Sequence, residues 1–201
     1  MVKVYGMSAS GNCHKVRMVL EALAEPYDWI EIDPGAGETR TPEFLARNPN
    51  GKVPVLELEP GSYLPESNAI ICYLAEGTPL LPGDRLERAR VLQWLFFEQY
   101  SHEPYLAVAR FLRRFHPDPE SQRALAESKQ AGGYRALEVM QLRLASAPFL
   151  VAGRYSVADI ALYAYTHVAG EGGFDLARFP AIRAWLARVA AQPGYVEMLP
   201  G

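Results

Sequence analysis

The chain has 201 residues, a formal net charge of −3, 49% hydrophobic and 21% charged residues, which excludes disordered, collagenous and supercharged classes and leaves enough chain for one good core or two small ones. No apolar run reaches the ~18–20 residues that span a bilayer, the opening MVKVYGMSASG lacks a secretory signal, and Cys13 and Cys72 are too few for a disulfide scaffold or a four-cysteine zinc site, so a reducing cytoplasm is expected. Residues 1–80 carry six Lys/Arg against eleven Asp/Glu, and residues 81–201 fourteen against twelve; neither half has the basic excess that nucleic-acid binding requires.

In chain order, Lys3–Met7 predicts a short strand. From about Asn12 to Ala24 the positions Val16, Val19, Leu20 and Leu23 fall at helical spacing. Tyr27–Ile32 alternates apolar and acidic residues, as a half-buried strand does. Thr41-Pro42-Glu43 supplies a cap, a helix-compatible proline and a first-turn acid for a short helix ending at Arg47. Asn48–Gly51 is a turn by composition. Val53–Leu58 and Ser62–Leu64 read as strands joined at Glu59-Pro60-Gly61, and Ser67–Glu76 as a helix closed by Gly77.

This β-α-β-α-β-β-α order predicts an α/β domain over residues 1–77. Two prolines and a glycine mark 78–84 as a linker, and residues 85–201 carry only helical signals. The helices are expected at Asp84–Glu103, broken or kinked by Pro104, and at about 105–115, 119–146, 156–169 and 180–191. Arg110, Arg113 and Arg114 fit one solvated helix face.

Three motifs could carry chemistry. The first strand-to-helix turn holds Ser10 and Cys13 as S-x-x-C, where thioredoxin-like redox folds carry C-x-x-C. A serine there removes the dithiol but can donate a hydrogen bond to a thiolate at the positive helix end; it can equally be a helix-start residue and nothing more. In Asn48-Pro49-Asn50-Gly51-Lys52-Val53-Pro54-Val55, Pro54 heads a strand, an unusual place for a residue without a ladder donor. A cis Val53–Pro54 bond would turn the Val53 backbone outward to pair with an extended peptide. Glu66-Ser67 places an acid and a hydroxyl at a helix start, which suits a ligand bearing an amine and a carboxylate or a plain cap.

Together, S-x-x-C before HKVRMVLEAL, then EFLARNPNGKVPVLEL, then PESNAIICYLAE resemble the glutathione transferase family over essentially the whole chain. The pattern is most similar to the serine-type, bacterial-like cytosolic enzymes. The resemblance implies a thioredoxin-like N-terminal domain and an all-helical C-terminal domain. It also implies conjugation of glutathione, a co-substrate with no other cofactor, to a small apolar electrophile, in a detoxifying homodimer that pairs the N-terminal domain of one subunit with the helical domain of the other. By position, Ser10 would stabilise the glutathione thiolate. Val53 would pair with the cysteinyl backbone beside cis-Pro54, Glu66 and Ser67 would hold the γ-glutamyl group, and Lys52 and Arg40 would face the glycyl carboxylate. Ser156-Val157-Ala158-Asp159 matches the family's structural capping box.

Two alternatives stand beside this reading: a glutathione-dependent reductase or peroxidase using Cys13, and a non-catalytic glutathione-binding relative. Cys13 reads first as a buried, inert thiol and Cys72 as core. The four histidines have no metal spacing, and neither a metal, a nucleic acid nor a membrane is expected as partner. Trp94, Phe97, Tyr100, Tyr105 and Phe111 read as core by default, with some available to contact an apolar electrophile.

Overall fold

The computed structural model describes residues 1–199. They fall into two compact units, Met1–Glu76 together with residues 192–199, and Gly77–Ala191.

In the first unit, β1 (Val2–Gly6), α1 (Gly11–Ala22), β2 (Tyr27–Glu31), α2 (Pro42–Arg47), β3 (Val55–Glu59), β4 (Ser62–Pro65) and α3 (Ser67–Ala75) follow the expected order. The sheet order is β2-β1-β3-β4; β1 runs parallel to β2 and antiparallel to β3, and β3 antiparallel to β4. Phe44 of α2 packs with Tyr5 and Val55. Val4, which points to the opposite side from Tyr5, is also fully buried, so both faces of the sheet are covered. The apolar stripe of α1 is buried at Val16, Val19 and Leu20, and α1 packs against α3.

The other strand bounds lie within one residue of expectation, but β3 starts at Val55 rather than Val53, after a cis Val53–Pro54 bond, and Pro54 has no N–H for the ladder. The tail from Gln192, expected with the helical part, packs on the first unit. His14 Nε2 donates to the Val196 carbonyl at 2.8 Å. A Cβ on Gly194 would lie 2.5 Å from the Glu21 carbonyl, so only glycine fits there.

The second unit is helical: α4 (Arg85–Phe97), α5 (Glu103–Arg114), α6 (Arg123–Ser128), α7 (Gln130–Ser146), α8 (Val157–Thr166) and α9 (Pro180–Ala190). Asp84 caps α4, accepting from the Leu86 and Glu87 amides at 3.0 and 2.9 Å. Pro104 does not end the helical path. A π turn at Glu98–His102 widens the backbone just ahead of it, and Pro104 then sits in the first turn of α5, where its missing donor costs no bond. The helix expected over 119–146 is two helices meeting at Lys129, and it starts late because Asp118 accepts from the Ser121 amide, a local turn that competes with the helix. Residues 78–84 are not a free linker: Leu80 and Leu81 are buried, and the Leu80 carbonyl accepts from Val157.

The arginine cluster is also corrected. Arg110 is buried, 2.8 Å from Glu171 and 4.9 Å above the Phe115 ring, so it is core rather than solvated face. Among the aromatics, Tyr100 and Phe111 are exposed rather than core. Phe97, Tyr100 and Tyr105 line a groove of about 210 Å³ with Gly132 and Arg135.

Candidate active site

Strand register alone gathers the three motifs. Tyr5 pairs with Val55 and Val55 with Pro65. The end of β1, the Val53–Pro54 bond and the start of α3 therefore lie at one end of the sheet.

Ser10 is the N-cap of α1, in extended conformation (φ −83°, ψ 127°), and its Oγ accepts from the Cys13 amide at 3.4 Å. That bond uses a lone pair and not the proton, which no acceptor among the described residues takes. No acidic side chain stands in the first turn of α1, so its positive end is not neutralised locally. Cys13 is a different kind of group. It is fully buried, its Sγ accepts from the Met7 amide at 3.3 Å, and burial pushes its thiol up to about 12, against the lowering influence of the Ser10 and Met7 hydrogen bonds. A thiol in that state is a poor nucleophile at neutral pH, in line with the reading of Cys13 as a buried, inert thiol.

The second motif is a turn built around Asn48, a residue the sequence reading took only as part of a turn. Its Nδ2 donates to the Lys52 carbonyl at 2.8 Å and its Oδ1 accepts from the Asn50 amide at 3.1 Å. Gly51 adopts φ +62°, and a Cβ there would lie 2.5 Å from Arg40 Nη1. Arg40 itself donates to the Asn50 carbonyl at 3.4 Å. The structure thus brings exposed Arg40 to the turn that carries exposed Lys52. The N–H and carbonyl of Val53, beside the cis bond, make no hydrogen bond to the described chain.

At the third motif, Glu66 holds φ 72° and ψ 108°, a backbone region that costs a non-glycine residue of order 1–3 kcal/mol. Buried Ser67 donates to Asn12 Oδ1 at 3.2 Å, and Lys15 Nζ lies 3.5 Å from Ser67 Oγ and 3.4 Å from Asn68 Oδ1. Asn12 and Lys15 thereby tie the start of α1 to the start of α3. Neither was singled out from sequence, although a lysine flanked by buried positions of α1 was a usable signal.

The profile of the glutathione S-transferase N-terminal domain matches residues 9–76, and that of the C-terminal domain residues 94–193. A glutathione S-transferase structure from Pseudomonas fluorescens is 54% identical, with a TM-score of 0.96 and 99% of both chains covered. The chain belongs to the glutathione S-transferase family. Among the relatives of this chain, the disulfide-bond oxidoreductase YfcG of Escherichia coli is 34% identical over 99% of this chain and 94% of that protein. The transferase URE2P6 of Phanerochaete chrysosporium, solved in complex with oxidized glutathione, is 30% identical with a TM-score of 0.85, covering 96% of this chain and 92% of that one.

Proposed function

We propose that the protein binds glutathione on its first unit and uses the thiolate as a nucleophile toward a small apolar electrophile. The observation that carries this reading is the Ser10 hydroxyl, placed at an unneutralised helix N-terminus with its proton uncommitted. The open Val53 backbone groups suit the cysteinyl main chain, Glu66 and Ser67 the γ-glutamyl group, and Lys52 with Arg40 the glycyl carboxylate. Glutathione enters as co-substrate. Its proton leaves to solvent, the sulfur lone pair forms a bond to the electrophilic carbon, and the leaving group departs with its bonding pair. Lowering the pKa of a thiol by two units from about 8.5 raises the thiolate fraction at neutral pH more than tenfold, and orientation adds to that.

The named activity of the Escherichia coli relative favours a second reaction at the same atoms. The glutathione sulfur attacks one sulfur of a disulfide and expels the other as thiolate, and a second glutathione resolves the mixed disulfide to oxidized glutathione. This route needs no protein thiol. Steady-state rates with one carbon electrophile and one disulfide, for the native chain and Ser10→Ala, test both. Conjugation lost on Ser10→Ala supports the first reading, disulfide turnover alone the second. Binding of glutathione without either reaction leaves a glutathione-binding module.

We also propose a homodimer. Leu92, Phe96, Tyr100 and Leu142 of the helical unit are 39%, 70%, 86% and 76% exposed, large apolar side chains that a second copy would cover. Light scattering should give twice the 22.3 kDa chain mass; a monomer at micromolar concentration refutes it. Two free cysteines, neither in a disulfide, accord with a reducing cytoplasm, and no helix among the described residues is long and apolar enough to cross a membrane.

A further inference from the structure

The loop between β1 and α1 places Ser10, and one carboxylate outside the three motifs holds that loop. Glu31 ends β2 directly beside Gly6 in the parallel ladder, and Ile32 donates to the Gly6 carbonyl at 2.8 Å. From there the Glu31 side chain meets the loop two residues past its partner. Its Oε1 accepts from the Ser8 amide at 2.8 Å and its Oε2 from the Ser8 hydroxyl at 2.6 Å. Oε2 also accepts from Trp29 Nε1 at 2.6 Å. The Trp29 ring packs so closely on Gly6 that a Cβ there would lie 2.6 Å from it. Between Ser8 and Ser10 the chain closes with the Ser10 amide on the Met7 carbonyl at 2.9 Å. Partial burial raises the Glu31 carboxyl, but the Ser8 and Trp29 hydrogen bonds and the Arg17 charge bring it below the usual range, so the clamp is ionised at neutral pH.

We propose that Glu31 is a positioning residue: by holding both the amide and the hydroxyl of Ser8, it fixes the loop that aims the Ser10 hydroxyl at the glutathione sulfur. Neither Glu31 nor Ser8 touches the sulfur in this account. A hydroxyl on a loosened loop stabilises a thiolate less well, because it must be reoriented at each encounter. The inference rests on the Ser10 reading above.

The test compares the native protein with Glu31→Ala and Glu31→Gln by three readouts: conjugation kinetics, the pH titration of the thiolate absorbance of bound glutathione, and hydrogen exchange of residues 7–10. Glu31→Ala should lower kcat about three- to tenfold at neutral pH with a smaller change in the KM for glutathione. It should also speed exchange in the loop and move the thiol titration upward, against the downward push from removing the Glu31 charge, which acts on thiols at this helix start. Glu31→Gln keeps an acceptor for the Ser8 amide and should recover part of each effect. A Glu31→Ala protein with faster loop exchange but an unmoved thiol titration refutes the positioning role. So does a loss of stability without any change in that titration. Native protein that leaves the bound thiol at its solution pKa refutes the Ser10 reading, and the Glu31 role with it. A native protein that lowers the thiol pKa, with Glu31→Ala indistinguishable from it, refutes the Glu31 role alone.

Discussion

Two helices of this protein start with a serine followed three residues later by a group that answers it, Ser10 with Cys13 and Ser156 with Asp159. The second start is closed. Asp159 Oδ2 accepts from the Ser156 amide and hydroxyl at 3.1 Å each, and Oδ1 from the Leu150 amide at 3.0 Å and Trp185 Nε1 at 2.9 Å. Every residue of α8 is buried. The first start is open: Ser10 is half-buried, it accepts one bond from Cys13, and its proton is uncommitted. One helix-start pattern therefore serves two ends. Where an acid occupies the fourth position the end is satisfied internally and contributes to folding. Where a buried neutral thiol occupies it, the charge of the helix end is left for a ligand.

If that contrast holds, damage at Ser156–Asp159 should appear as stability and damage at Ser10 as chemistry. The largest effect is expected from Asp159→Ala, which strands the buried amides of Leu150 and Ser156 and the Trp185 N–H. The loss should be about 3–5 kcal/mol in urea unfolding, with little change in turnover per folded molecule. The same carboxyl has a pH signature, because burial raises it from 3.8 to about 6 despite four donors. The folded state binds that proton more tightly than the unfolded chain. The contribution is therefore complete below about pH 4 and is lost as pH rises through 6, with a ceiling of about 3 kcal/mol. Unfolding midpoints of the native chain and Asp159→Asn across this window should diverge toward acid pH; parallel curves would show that the carboxyl is not raised.

Ser10→Ala should cost less stability, about 1 kcal/mol for a lost cap, and far more activity. One hydrogen bond to a charged group is worth about 1.5–3 kcal/mol, a ten- to hundredfold loss of conjugation at neutral pH. Glutathione affinity should change less, and the pH profile should move upward as the bound thiol ionises less readily. Ser156→Ala should do the opposite, losing about 1–2 kcal/mol of stability and leaving the pH profile in place. Matching profiles for the two variants would break the comparison.

The same contrast explains what sequence could and could not show. Element order in the first unit was legible because each strand and helix follows its own local period and cap, Thr41-Pro42 included. The motifs at Ser10, Val53–Pro54 and Glu66–Ser67 were legible because each is contiguous. What escaped was pairing between distant residues: Asn12 with Ser67, Arg40 with the Gly51 turn, Ser8 with Glu31, Arg110 with Glu171. None leaves a periodic mark, since the partners meet only through strand register or helix packing. The π turn before Pro104 and the return of the tail to His14 are of the same kind.

The smallest predicted effect is the one that isolates Ser10 from its neighbour. Cys13 stands three residues from Ser10 on the same helix, so position alone makes it a rival nucleophile. Burial decides against it, by holding the thiol up to about 12 and leaving no exposed surface for attack. Iodoacetamide should therefore spare Cys13 in the native protein and modify it only after unfolding, as read by mass spectrometry of the peptide. Cys13→Ala removes a buried sulfur and the acceptor of the Met7 amide, for about 1 kcal/mol of stability. Conjugation should stay within about threefold of the native rate, because the Ser10 hydroxyl and the helix end remain. Turnover of a disulfide should survive as well, since the attacking sulfur belongs to glutathione. Loss of disulfide turnover in Cys13→Ala with conjugation intact would instead make the thiol the nucleophile, and would mean that the helix start opens in solution far enough to expose it.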